Sequence, residues 1–191
     1  MMLRRCLLLI VVATLLAGCN RKDGGIGSDA GGWPPSSSTP AEVSSSAHVV
    51  KVTAAPVQIA PEGSAEASIK IAISPGYHVN ANPATFPYLI PTEVQRVSEP
   101  DGFCARSGTP RYPPSKSQKF AFAEVPLAVY EGDIEIKLPL RIPKQSESGC
   151  YGYPISGAHG SVPITVRVQA CDTEKCFPPA TLNATIPVEV K

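Results

Sequence analysis

The chain has 191 residues, 43% of them apolar and only 17% charged, with 21 prolines and a formal net charge of +1. Proline at that density argues against long helices. The near-neutral balance, with no basic run and no aromatic-interleaved patch, excludes nucleic-acid recognition.

The first eighteen residues read as an export signal. Arg4 and Arg5 precede a short apolar run from Leu7 to Leu16, too short to span a bilayer and ordered as a secretory signal peptide. Leu16-Ala17-Gly18-Cys19 resembles the bacterial lipobox, whose cysteine is lipidated and becomes the first residue of the mature chain. Asn20 behind it suggests outer-membrane sorting, with the inner membrane as the alternative. The expected mature protein is therefore a periplasmic domain on a lipid anchor. Residues 20–47 are rich in Gly, Ser and Pro and read as a flexible linker reaching about 30 Å. No later stretch is apolar enough to cross a membrane.

From His48 to Lys191 the pattern is β throughout. His48–Thr53 is a first strand. Ala67–Ile73 alternates with Ile69, Ile71 and Ile73 inward, between the turns Pro61-Glu62-Gly63 and Ser74-Pro75-Gly76. Leu89–Val97 is a weaker strand interrupted by Pro91, and 101–119 reads as loop. Asp133–Ile142 sets Ile134, Ile136, Leu138, Leu140 and Ile142 on one face. After a turn-rich connection to Gly160, Val162–Ala170 and Leu182–Val190 form two more alternating strands. Pro139, Pro163 and Pro187 fall on outward positions, which suits edge strands or bulges. Short strands at turn-punctuated spacing predict an all-β sandwich.

Six cysteines are present. Cys6 leaves with the signal and Cys19 carries the lipid, so Cys104, Cys150, Cys171 and Cys176 remain in an oxidising compartment. Four thiols allow three pairings. Cys171 and Cys176 sit at the mouth of the C-terminal β-hairpin, close enough to bridge. A disulfide there would contribute about 2 kcal/mol, against about 4 kcal/mol for a Cys104–Cys150 loop. The long loop suits a structural staple, the short one a redox couple. Asp172 and Glu174 would raise the thiol pKa values and Lys175 would lower them, so no hyper-reactive thiolate is expected. The dispersed ligand set argues against a metal, and no cofactor is implied. His48, His78 and His159 read as ordinary polar residues. No hydrolase elbow or phosphate loop appears.

Gly76-Tyr77-His78-Val79-Asn80-Ala81-Asn82-Pro83, Phe120-Ala121-Phe122, Val129-Tyr130-Glu131-Gly132 and Gln169-Ala170-Cys171-Asp172-Thr173-Glu174-Lys175-Cys176-Phe177-Pro178-Pro179 resemble the N-terminal periplasmic domain of DsbD, the bacterial thiol:disulfide interchange protein. The resemblance covers about His48 to Lys191. It implies an immunoglobulin-like sandwich acting as a protein thiol–disulfide oxidoreductase, with Cys171 and Cys176 cycling between dithiol and disulfide. By residue matching, Cys176 would form the mixed disulfide and Cys171 would resolve it. Phe120 or Phe122, with Phe177, would shield the pair until a partner docks. The implied donor is a thioredoxin-like or membrane protein supplied in trans. The implied acceptors are thioredoxin-fold periplasmic proteins, including those of disulfide isomerisation and cytochrome c biogenesis. Cys104 and Cys150 lie outside the family motif. The competing expectation is a redox-inert envelope binding or assembly module whose disulfides are purely structural.

Overall fold

The computed structural model describes residues 45–97, 103–147 and 155–191, all within the unit that spans Pro40–Lys191. The export signal, Cys19, most of the linker and Cys150 lie outside the described residues.

The strands are β1 (Val50–Ala54), β2 (Val57–Ile59), β3 (Ser64–Ile73), β4 (His78–Asn80), β5 (Glu93–Arg96), β6 (Arg106–Ser107), β7 (Lys116–Gln118), β8 (Leu127–Tyr130), β9 (Asp133–Arg141), β10 (His159–Val168), β11 (Ala170–Cys171) and β12 (Ala180–Val190). They form three sheets of order β1-β3-β9-β6, β2-β12-β10-β5 and β11-β4-β8-β7. The first two make an immunoglobulin-like β-sandwich. Their period-two faces meet in one core: Ile69, Ile71 and Ile73 from β3, Ile136, Leu138 and Leu140 from β9, Val162, Ile164, Val166 and Val168 from β10, and Ile186, Val188 and Val190 from β12. Burial of such side chains is the main stabilising term, at about 1.5–3 kcal/mol each.

The long strands match the expected alternation; the short ones differ. β1 starts at Val50, after a 3-10 turn at Ser46–His48 that Ser45 caps. Only Glu93–Arg96 of the expected Leu89–Val97 strand forms. The expected 101–119 loop contains β6 and β7.

The three outward prolines lie on strands with a neighbour on each side, not on edges. On one side of each the neighbour is short: β6, β5 and β2. The Pro139 carbonyl accepts from the Gly108 N–H just past β6, and the Pro163 carbonyl from the Val97 N–H just past β5. Pro187 directly precedes the three residues of β12 that pair with β2. The missing donors of Pro139 and Pro163 therefore fall just past the ends of β6 and β5, so a central strand tolerates them.

The third sheet positions the site. At Gln169 the chain leaves β10, and β11 pairs instead with β4: Ala170 opposite Val79 and Cys171 opposite His78. β4 then pairs with β8, Val79 opposite Tyr130 and Asn80 opposite Val129. Directly opposed residues share a face and alternate along each strand. One face therefore carries Ala170, Val79 and Tyr130, all members of the main core. The other carries Cys171, His78, Asn80 and Val129. Val129 joins Phe120 and Leu127 in a separate buried cluster bordered by Phe86, Leu89 and Ala123.

Candidate functional site

The cysteine loop is a small hairpin of its own. The Phe177 N–H donates to the Ala170 carbonyl at 2.8 Å and the Asp172 N–H to the Lys175 carbonyl at 2.9 Å. Cys171 and Cys176 face each other between these bonds. Asp172 closes the turn: its Oδ1 accepts from the N–H groups of Glu174 and Lys175, each at 2.8 Å. Those two backbone donors, then the Lys175 and His78 charges, hold its carboxyl below the ordinary carboxylate range. Asp172 thus acts first as a turn former, as short acidic side chains do, while Lys175 sits 5.6 Å from the Phe177 ring centre.

Ser46 ties both ends of this hairpin to the body. It is fully buried. Its hydroxyl donates to the Pro178 carbonyl at 2.7 Å and accepts from the Ala170 N–H at 2.9 Å. Its own N–H also reaches the Pro178 carbonyl, at 3.1 Å. Nothing local in the sequence signals this burial, since Ser46 lies in a Ser-rich run that has the composition of a linker.

Cys171 and Cys176 are joined by a disulfide with Cα atoms 3.9 Å apart. Its two ends differ: Cys171 is 1% exposed, whereas Cys176 is exposed. The two ends of the disulfide are thus unequally exposed, with Cys176 on the solvent side.

On the sheet face that carries Cys171, His78 begins an aromatic stack. The His78 ring lies 4.1 Å from that of Phe120, nearly parallel, and Phe122 continues the stack 5.3 Å beyond. Phe120 is 4% exposed and Phe122 45%, so Phe120 packs on the sheet face that carries Cys171 and Phe122 is the outer layer. Phe177 is buried too, 5.7 Å from Tyr77. Tyr77 and His78 are delivered together by the turn Ser74–Tyr77, where Gly76 adopts φ +84°, a conformation glycine takes without steric cost. His78 is not the ordinary polar residue the sequence suggested. It is 2% exposed, its Nε2 has no hydrogen-bond partner, and burial pushes its pKa below 6.5, against the opposing pull of Glu131 and Asp172. Cys104 is buried and disulfide-bonded. Among the described residues no cluster of His, Cys, Asp and Glu could hold a metal ion.

The family model described as "Thiol:disulfide interchange protein DsbD, N-terminal" matches residues 46–187. The chain belongs to this family. Its disulfide fits the thiol–disulfide interchange for which the DsbD N-terminal family is described. No curated protein sequence matches the chain. Among solved structures, the DsbD N-terminal domain of Neisseria meningitidis in its reduced form is similar at 13% identity and TM-score 0.38, over 72% of this chain and 83% of that one. The N-terminal periplasmic domain of ScsB from Proteus mirabilis is similar at 11% identity and TM-score 0.41, over 74% of this chain and 45% of that one. The family match begins at Ser46, the residue that anchors the cysteine hairpin.

Proposed function

We propose that this domain passes reducing equivalents to periplasmic protein partners through the Cys171–Cys176 couple. The observation that carries the proposal is the unequal exposure of the two cysteines, and the family's interchange activity supports it. In the reducing direction, the Cys176 thiolate attacks an acceptor disulfide and forms a mixed disulfide. Cys171 then attacks the Cys176 sulfur, closes the internal disulfide and releases the acceptor as a dithiol. A donor dithiol returns the pair to the reduced state by attacking Cys176 and expelling Cys171. Phe120 acts as the inner shield, with Phe122 outside it and Phe177 behind the hairpin. Cys104 and Cys150 form the structural staple. Cys19 tethers the domain to a membrane, the outer one favoured; a thioredoxin-like or membrane partner supplies the electrons and thioredoxin-fold proteins accept them.

The test is a glutathione titration of the full chain with mass-spectrometric assignment of each cysteine. The proposal predicts a Cys171–Cys176 potential above about −300 mV, in the range of exchange proteins, with the fold intact. A bridge that opens only on unfolding would overturn it in favour of a redox-inert module.

A further inference from the structure

Closing the disulfide requires Cys171 to give up its proton in a buried setting. Burial in apolar surroundings disfavours the thiolate, and Cys171 is almost completely enclosed. The strand register sets His78 directly opposite Cys171 on the same face of the third sheet, with Cβ atoms about 5 Å apart by ordinary cross-strand geometry. That imidazole is itself buried, and its Nε2 bonds to nothing. An unsatisfied buried nitrogen costs free energy and calls for an explanation. A proton acceptor that works only in the reduced form supplies one, because a disulfide sulfur has no proton to give.

We infer that His78 is the proton-holding residue of the couple: its imidazole takes the Cys171 thiol proton as Cys171 attacks Cys176, and returns it when Cys171 is expelled. This rests on the exchange function proposed above. In closure, the Sγ–Sγ bond of Cys171 and Cys176 forms and the bond from Cys176 to the acceptor breaks. The acceptor sulfur leaves as a thiolate and takes a proton from water, while the Cys171 proton moves to His78 and from there to solvent. Two electrons pass to the acceptor, so charge and protons balance. The charged groups around the imidazole are Glu131, at the end of β8, and Asp172, in the cysteine hairpin. Lys116 offsets Glu131 at 3.4 Å, and Lys175 lies beside Asp172 in the turn. The two carboxylates favour a transient imidazolium, and burial returns it to neutrality. Phe120, stacked on the ring, keeps this exchange away from bulk water.

The experiment follows closure of the glutathione mixed disulfide on Cys176, starting from the reduced full chain and glutathione disulfide, by acid quench and mass spectrometry between pH 5 and 9. In the parent, closure slows as pH falls through the His78 pKa, below 6.5. His78→Phe keeps an aromatic ring on Phe120 but has no nitrogen; His78→Gln keeps polarity but cannot take up a proton. Both are expected to close at least about tenfold more slowly at pH 7 and to lose the low-pH inflection, while the first attack at Cys176 stays unchanged, since general bases contribute at least that much. Variants that melt like the parent and close with its rate and pH profile would overturn the inference. Should both variants fail to fold, the parent profile decides, and a profile without an inflection below pH 7 overturns it. A folded parent that forms no mixed disulfide at Cys176 would instead remove the underlying exchange function.

Discussion

The two faces of the third sheet are built to different standards. Toward the sandwich, Ala170, Val79 and Tyr130 pack into the main core, and even the Tyr130 hydroxyl is engaged, accepting from the Asn82 N–H and donating toward the Asn82 and Pro113 carbonyls. Toward Phe120, the same strands present a disulfide, an imidazole with an unpaired nitrogen, and a three-ring stack whose outer member is half exposed. One face holds the sheet in place. The other carries the disulfide and the ring stack, and the contrast shows how a stable scaffold can carry a less tightly packed surface beside its core.

The largest effects should come from the cysteines. Cys176→Ser abolishes mixed-disulfide formation, whereas Cys171→Ser lets mixed disulfides at Cys176 accumulate, as read by mass spectrometry after glutathione treatment. Equal behaviour of the two variants would erase the asymmetry. Next comes the core face: Tyr130→Ala should lower stability by about 3–5 kcal/mol in urea unfolding. A loss under about 1 kcal/mol would show that this face is not core.

Phe120→Ala tests the opposite face. Opening of the disulfide by dithiothreitol should accelerate about tenfold, equivalent to about 1.4 kcal/mol, whereas Phe122→Ala changes it little. Reversed effects would make Phe122 the shield.

The smallest effects are those of pH. Burial lowers the His78 pKa against the opposing pull of Glu131 and Asp172, so the unfolded chain binds its proton more readily. Stability is then lost as pH falls below about 6.5, and His78→Phe removes that slope. Asp172, with its pKa depressed by the turn N–H groups, stabilises the folded chain above about pH 4. That increment fades as pH falls through its lowered folded pKa, and Asp172→Asn should flatten the acid limb of thermal melts. An unchanged acid limb would mean that the turn bonds do not favour the ionised form.

Legibility in the sequence divided along the same line. Strands β3, β9, β10 and β12 are long enough for a period of two to show, so their inward residues and the sandwich could be read directly. The cysteine pair was visible from its spacing and its place between two alternating runs. The third sheet was not visible: β4, β7, β8 and β11 have two to four residues each, too few for periodicity, and the switch of sheets at Gln169 hides inside what reads as one continuous strand. The role of His78 depends wholly on that hidden pairing with Cys171, and the role of Ser46 on contacts more than 120 positions away. Phe120 and Phe122 stood equal in sequence, because only the fold decides which ring meets His78.

The most direct test is the site of first attack on the oxidised full chain. Brief exposure to glutathione, acid quench and peptide mapping would locate the mixed disulfide. The account predicts glutathione on Cys176 alone, formed while the domain remains folded. Glutathione on Cys171, or adducts that appear only under denaturing conditions, would contradict it.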